Sequence, residues 1–279
     1  MVFNGGHSGK DIGKHRGNPI IILGKILSAL NSKYNLYLNY IDAGTWVTAI
    51  PRNATGVITT DAIDLDIINN LLKRLTIKLK SEYENEDISL SIEEINTQQL
   101  AFDSKTSRQV INYISNFPDG ELETDKKYQY PILSTNLGTV WVENEYLLIE
   151  NSIRSNSNPI TTQQLIDKIK NIENLNNLNT IETFDFPGYR QVKDSKFINY
   201  LIKKYEQTFK KSPLLKEEHF LLECGWFSKK VPNLEYVSIS PNIDNPHSPS
   251  EKVSIPSMQN MWKYLKNIIK DLDKNKDYR

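Results

Sequence analysis

The sequence predicts an α+β fold for residues 1–186 and the closing part of an α/β sheet for residues 187–279. Through the first segment, the order helix–strand–strand–helix–strand occurs twice at similar lengths, which favours two ferredoxin-like halves. The sequence Phe186-Pro187-Gly188 then marks a border. Beyond it, two helices and two or three strands over about 90 residues make a poor domain alone.

The first half opens with a glycine-rich turn at residues 5–18, after which Asn18 can cap a helix that has Pro19 at its first position. Apolar residues at helical spacing continue this helix to about Asn31. A second, long helix is predicted from about Asp64. The predicted strands are Leu36–Ile41, Ala54–Thr60 and the strictly alternating Ile88–Ile92.

The second half repeats this order. A capping box formed by Thr161 and Gln164 predicts the start of its second helix, which runs to about Ile172. The remaining predicted elements are a helix at about 104–117 and strands at about 136–143, 146–155 and 180–184.

Two helices are predicted in residues 187–279. The first carries an apolar face from Phe197 to Phe209, and Ser257 is expected to cap the second. Strands are predicted around residues 219–223 and 235–240.

Composition excludes several functional classes. Lysine plus arginine and aspartate plus glutamate both number 34, so no overall charge favours nucleic acid or an anionic membrane. Cys224 is the single cysteine, which excludes an internal disulfide framework and fits a reducing cytoplasm. No apolar run approaches the ~20 residues that a membrane span needs, and the start shows no secretory leader. We therefore expect a cytoplasmic protein without nucleic-acid or membrane partners.

Motif rules alone find no complete catalytic centre. The four histidines, His7, His15, His219 and His247, do not form His-Glu-x-x-His or another compact ligand set. No Gly-x-Ser-x-Gly nucleophile turn or phosphate-binding loop is present. By these rules, an isolated histidine is more often structural than catalytic.

Three segments nevertheless resemble one family: residues 5–18 (GGHSGKDIGKHRGN), residues 43–52 (AGTWVTAIPR), and residues 223–252, which begin ECGWFSKK. They are similar, in the same order, to segments of the cytosolic non-specific (aminoacyl-histidine, Xaa-His) dipeptidases, zinc peptidases related to carnosinases. Weaker similarities at 134–138, 153–155 and 186–189 extend the resemblance over essentially the whole chain.

The resemblance implies a catalytic domain with two zinc ions that is interrupted by an inserted lid. Residues 1–186 then correspond to the lid and residues 187–279 to the returning part of the catalytic domain. His247 corresponds to the last metal ligand, and a neutral imidazole is a good zinc donor. The other ligands and the general base precede the lid in the family. No match to them occurs here, so we expect a truncated peptidase that does not hold zinc stably by itself.

The same resemblance assigns substrate contacts. His7 corresponds to a lid histidine that stabilises the oxyanion of the scissile carbonyl. Arg154 corresponds to an arginine that binds the terminal carboxylate of the substrate, for which its planar fork is suited. Glu223 and Gly225 line the substrate pocket, and Thr48 lies where a polar side chain is expected, although close relatives often carry asparagine there.

Residues 219–221 (His-Phe-Leu) also depart from the His-Ala-Gly of relatives, and their bulk could crowd the pocket wall. The sequence thus favours the C-terminal portion of a zinc dipeptidase that hydrolyses Xaa-His and other unblocked dipeptides and is inactive alone. The alternative is a non-catalytic lid or association module, or a complementing subunit of a split peptidase. The expected partners are a dipeptide and either a separately encoded N-terminal catalytic half or a second copy.

Overall fold

The computed structural model describes residues 1–61, 64–83, 86–126, 129–157, 159–181, 186–188, 195–215, 219, 222–231, 234–246 and 250–274. The chain divides into two compact units. Unit 1 comprises Met1–Asp185 together with Glu218–Phe220, and unit 2 comprises Phe186–Glu217 with Leu221–Arg279. No helix in the described ranges is both long enough and apolar enough to cross a membrane.

Unit 1 is built on a five-stranded antiparallel sheet with strand order β4-β2-β6-β5, in which β7 pairs with β6. β6 is long enough for β5 to pair with its first residues and β2 with Val140 near its end. A separate two-stranded ladder joins β1 to β3. The strands of unit 1 are β1 (Gly6–His7), β2 (Leu36–Ala43), β3 (Ala49–Ile50), β4 (Ala54–Thr60), β5 (Gly120–Thr124), β6 (Pro131–Glu143) and β7 (Tyr146–Ser155).

The described part of unit 1 also contains four α-helices: α1 (Pro19–Asn31), α2 (Leu65–Glu82), α3 (Ser104–Asn116) and α4 (Pro159–Leu175). The first three begin at side-chain caps, in which Asn18, Asp64 and Asp103 accept backbone N–H bonds from the first turn. α1 and α3 pack against each other and contribute Ile20, Leu27, Ile111 and Ile114 to one continuous core. That core also takes Leu38, Leu137 and Val140 from the sheet.

Because side chains alternate along a strand, the residues of β6 and β7 that point away from this core form a second face of the sheet. This face is polar, and it positions the candidate site described below.

Unit 2 contains α5 (Lys196–Phe209), α6 (Cys224–Lys230), α7 (Ile255–Lys274) and the hairpin β8 (Ile243–Asp244) with β9 (Lys252–Val253). α5 and α7 pack through Tyr200, Leu201, Tyr264 and Ile268. Ser195 caps α5, and the carboxylate of Glu235 accepts bonds from the Ser195 hydroxyl and the Phe197 N–H.

The α+β character predicted from the sequence is confirmed, and so are several elements, including β4 and the Asn18–Pro19 start of α1. The finer prediction of two ferredoxin-like halves is not confirmed, because β2 and β4 of the first half join one sheet with β5, β6 and β7 of the second. The assignment of the two segments as lid and catalytic portion stays a prediction.

Several predicted strands are wrong. In the described structure, the alternating residues 88–92 form one isolated bridge, between Ser89 and Val2. Ile88 is buried. Residues 235–240 are not a strand, and residues 222 and 223 lead into α6 instead of ending one. Residues 180 and 181 are not in a strand, and the rest of that predicted element lies outside the described residues.

Two predicted caps also differ from the structure. Thr161 lies inside α4, which begins at Pro159. Ser257 lies inside α7, and its backbone N–H donates to the hydroxyl of Ser254, which immediately precedes the helix.

Candidate functional site

The polar face of the β6–β7 ladder consists of three cross-strand pairs: Ser134 with Arg154, Asn136 with Ser152, and Thr139 with Glu150. Ser134, Asn136, Thr139 and Arg154 are all buried, although none of them belongs to the apolar core on the other side. Buried polar groups require hydrogen-bond partners. Two segments supply the partners of Asn136 and Arg154: residues 44–49 through their backbone, and residues 5–9 through the Ser8 hydroxyl.

The segment 44–49 is bonded to the polar face. The Asn136 side-chain amide donates to the carbonyl oxygens of Val47 (2.9 Å) and Ala49 (2.8 Å), and the Ser152 hydroxyl donates to Val47 O (3.2 Å). Gly138 of β6 makes this close approach possible, since a Cβ there would lie 2.6 Å from Val47 Cα. Thr48 is half-buried, and its carbonyl oxygen accepts bonds from the Ser8 N–H (3.1 Å) and hydroxyl (2.6 Å).

His7 lies at the end of β1, where it pairs with Ala49. Its Nδ1 atom accepts the backbone N–H groups of Gly9 (2.9 Å) and Lys10 (3.1 Å). An imidazole nitrogen that accepts hydrogen bonds carries no proton, so the proton of the neutral ring lies on Nε2. The turn therefore fixes His7 in the tautomer that can donate from Nε2.

Asp11 holds this turn closed. Its carboxylate accepts the His7 N–H (2.8 Å) and forms an ion pair with Lys14 (2.7 Å). Burial raises the pKa of Asp11, but hydrogen bonds from Lys14 and His7 and the charges of Lys14 and Arg16 outweigh burial, so the pKa lies below its ordinary value. The carboxylate consequently stays ionised at neutral pH.

Arg154, in the pair at one end of the polar face, is a buried charged group, and only 6% of its surface is exposed. Its Nε and Nη2 atoms both donate to the Ser8 hydroxyl, at 3.2 Å each. Burial lowers the pKa of Arg154, yet a guanidinium remains protonated at neutral pH. Within the described residues, no ion pair joins Arg154 to a carboxylate. A buried cation without an acidic partner is expensive and attracts an anion.

His219 completes the cluster around Arg154 and was not assigned a function from the sequence. Its Nε2 atom shares a 2.8 Å hydrogen bond with the Ser134 hydroxyl, and the imidazole is buried. Burial, and then the positive charge of Arg154, lower the pKa of His219 to about 4. The ring is therefore neutral at pH 7. The bulky residues that follow it, 220 and 221, lie outside the described residues.

The unit 2 candidates are described separately. Glu223 is exposed immediately before α6. Gly225 lies in the first turn of α6, and a Cβ there would lie 2.6 Å from the carbonyl oxygen of Pro187, so a larger residue would not fit without movement. His247 lies outside the described residues. Burial raises the pKa of the neighbouring Cys224 thiol.

The structure thus brings together Thr48, Arg154 and the turn that carries His7 on one face of unit 1, and it adds Ser8 and His219. The roles predicted for His7, Thr48, Arg154, Glu223, Gly225 and His247 stay predictions. No group of three or more histidine, cysteine, aspartate or glutamate side chains in the described ranges could hold a metal ion. The described side chains alone therefore do not fit a two-zinc centre.

Comparisons with known proteins identify relatives of this chain. Residues 4–87 match the model of the peptidase dimerisation domain. Over 275 residues, the chain is 27% identical to the cytosol non-specific dipeptidase of Escherichia coli (strain K12). This alignment covers 97% of the chain and 56% of the E. coli protein. The crystal structure of aminoacylhistidine dipeptidase from Vibrio alginolyticus matches the structure of this chain with a TM-score of 0.79 and 26% sequence identity. The match covers 97% of this chain and 56% of the Vibrio chain.

The chain spans about half the length of these relatives. It carries a match to the peptidase dimerisation domain and is similar, over nearly all of its residues, to the cytosolic non-specific and aminoacyl-histidine dipeptidases, as the resemblance in its sequence predicted.

Proposed function

We propose that this chain supplies the lid and the closing part of a zinc-dependent, cytoplasmic dipeptidase that hydrolyses Xaa-His and other unblocked dipeptides. The support is the similarity to two dipeptidases, together with the buried guanidinium on the polar face of unit 1. An unblocked dipeptide carries a free carboxylate, and a positively charged site can distinguish it from a blocked peptide.

The observation that carries the proposal is the buried Arg154 guanidinium, which is bonded to the Ser8 hydroxyl and, among the described residues, forms an ion pair with no acid. Folding has already removed most water from this guanidinium. A substrate carboxylate could therefore form a charge-assisted hydrogen bond with it without a further free-energy cost for desolvating the arginine. In this proposal Arg154 binds the C-terminal carboxylate and Thr48 lies beside the substrate.

His7 is proposed to stabilise the oxyanion that forms at the scissile carbonyl. Support comes from the two N–H bonds to Nδ1, which leave Nε2 as the protonated nitrogen. A donor held in a fixed tautomer needs no rearrangement when charge develops in the transition state. Glu223 and Gly225 are proposed to contact the amino end and backbone of the dipeptide.

Zinc would polarise the peptide carbonyl and activate water in such an enzyme, with His247 proposed as one ligand. The remaining donors would come from polypeptide outside the described residues. We therefore propose that the chain alone does not hydrolyse dipeptides. Metal analysis and a dipeptide hydrolysis assay on the purified chain test this, and stoichiometric zinc with turnover would contradict it.

The carboxylate site can be tested without catalysis. Calorimetry should detect binding of glycyl-histidine to the purified chain and at least about tenfold weaker binding of its C-terminal amide. Arg154→Gln should abolish this preference. Arg74→Gln, the same change at an exposed position on α2, should leave it intact. Equal affinity of the chain for the free acid and the amide would refute the assignment of Arg154.

A second candidate function is a non-catalytic association module or a complementing subunit, and the match of residues 4–87 to a dimerisation domain favours it. In that case the chain would bind a polypeptide partner and show no preference between the dipeptide and its amide. The calorimetric comparison therefore distinguishes the two functions.

A further inference from the structure

The hydroxyl of Ser8 uses its full hydrogen-bonding capacity inside unit 1, where only 1% of the surface of this residue is exposed. A serine hydroxyl can donate one hydrogen bond and accept two. The Ser8 hydroxyl donates to the carbonyl oxygen of Thr48 at 2.6 Å, and it accepts from Nε and Nη2 of Arg154, at 3.2 Å each. With all three positions used, the hydroxyl has a single orientation.

Ser8 occupies one edge of the Arg154 guanidinium. Nε and Nη2 form this edge of the planar group, which could otherwise bind a carboxylate through two parallel hydrogen bonds. Nη1 forms no hydrogen bond with the described residues. The fully buried side-chain nitrogen and oxygen atoms that lack a partner in this part of the chain are Thr60 Oγ1 and Asn136 Oδ1. Nη1 therefore keeps contact with solvent, and an approaching anion finds the Nη1–Nη2 edge open.

Ser8 is held in place through its backbone as well as its side chain. Its backbone N–H donates to the same Thr48 carbonyl oxygen, at 3.1 Å. The turn around it is closed by Asp11, whose carboxylate accepts the His7 N–H and whose own N–H donates to His7 O, both at 2.8 Å. A ligand that displaced Ser8 from Arg154 would have to disturb this turn, whereas a ligand at the Nη1–Nη2 edge would leave it intact.

We propose that Ser8 is a positioning residue for the carboxylate site: it holds the Nε–Nη2 edge of Arg154, so that the substrate carboxylate is accepted at the Nη1–Nη2 edge. The proposal rests on the function proposed above. An arginine side chain fixed before binding does not have to be ordered by the ligand, which favours affinity. Because Ser8 directly follows His7, it also sets the distance between the carboxylate site and the proposed oxyanion donor.

The first test uses the unaltered chain and ¹⁵N NMR of its arginine side chains, with glycyl-histidine as the probe. The Nε–H signal of Arg154 is assigned by its loss in Arg154→Gln. Addition of the dipeptide should shift the Nη signals of Arg154, while the Nε–H signal keeps its position and its slow exchange with solvent. A ligand that takes the place of Ser8 would instead move the Nε–H signal, and that result would overturn the proposal.

The second test removes the hydroxyl. In Ser8→Ala, exchange of the Arg154 Nε–H should accelerate at least about tenfold, and the affinity for glycyl-histidine should fall about three- to tenfold, because the ligand must then order the arginine. Ser107→Ala is the matched control. It removes another buried hydroxyl, which accepts the Leu38 N–H at 2.9 Å from α3, and it should change neither quantity. Circular dichroism verifies that both variants remain folded.

The outcomes separate this inference from the proposed function. If the chain binds neither glycyl-histidine nor its amide, the proposed carboxylate site fails, while Nε–H exchange in Ser8→Ala without ligand still shows whether Ser8 holds Arg154. If the dipeptide binds with the expected preference but Ser8→Ala and Ser107→Ala have equal effects, the site stands and the positioning role is refuted. Tighter binding by Ser8→Ala also refutes it, because Ser8 would then compete with the carboxylate.

Discussion

Two titrating groups of unit 1 should oppose each other in the dependence of stability on pH. Burial raises the pKa of Asp119 from 3.8 to about 6, against the hydrogen bonds from Leu137 N–H and Asn18 and the charge of Lys25. Burial and Arg154 lower the pKa of His219 from 6.5 to about 4. One carboxyl therefore takes up a proton on folding, and one imidazole releases a proton, over nearly the same pH range.

The sign follows from linkage between protonation and folding. The raised pKa of Asp119 adds stability below pH 3.8, and this stability is lost as the pH rises to about 6. The lowered pKa of His219 adds stability above pH 6.5, and this stability is lost as the pH falls to about 4. At about 1.4 kcal/mol per pKa unit, each contribution is at most about 3 kcal/mol, so in the native chain they nearly cancel.

Single substitutions should expose each contribution. Asp119→Asn can keep both bonds, because a single carboxylate oxygen accepts from Asn18 Nδ2 and Leu137 N, each at 2.8 Å. Its free energy of unfolding should rise by up to about 3 kcal/mol between pH 4 and 6.5. His219→Gln can keep a bond to Ser134, and its free energy of unfolding should fall by a similar amount over that range.

Urea unfolding at pH 4 to 7.5 measures these profiles. Replacing Trp226 and Trp262 by phenylalanine makes tryptophan fluorescence report on unit 1, which retains Trp46 and Trp141. The double variant at positions 119 and 219 serves as control and should give a nearly flat profile. A flat profile for Asp119→Asn would show that His219 is not held neutral by the fold and would refute the reasoning.

Three further predictions concern the site and its support. Asn18→Ala removes the cap of α1 and the side-chain bonds behind it, and should lower the free energy of unfolding by about 2–4 kcal/mol. Gly138→Ala should displace Val47 and lower the melting temperature by several degrees, as calorimetry can measure. In ¹⁵N NMR spectra at pH 7.5, neutral His7 should show Nε2 as the protonated nitrogen; a ring protonated at Nδ1 would exclude the described turn.

Capping residues and residue preferences in the sequence correctly predicted elements that short stretches of sequence determine. Asn18 caps α1, and Pro19 is its first residue, as predicted. Residues Ala54–Thr60 form β4 with the predicted bounds. Both predictions succeed because capping and residue preference act within a few residues. Residues 88–92 show the limit of such signals. Their alternation is regular, but a strand needs a partner, and among the described residues only Val2 pairs with this segment.

Some residues of the candidate site were also found from the sequence, and others were not. The resemblance of short segments identified His7 and Arg154 as candidates. It did not find the bond between Ser134 and His219, whose partners are 85 residues apart in the sequence. That contact depends on the register of β6 with β7, which places Ser134 beside Arg154. A one-residue slip in this register would have turned Ser134 to the other face.

The place of His219 in unit 1 has a consequence for synthesis of the protein. A ribosome that has released residues 1–185 has delivered every strand of the five-stranded sheet but not the imidazole that bonds Ser134. Until position 219 emerges, the hydroxyl beside the guanidinium must be hydrated. The bond between Ser134 and His219 in unit 1 can therefore form only after α5 of unit 2 has been translated.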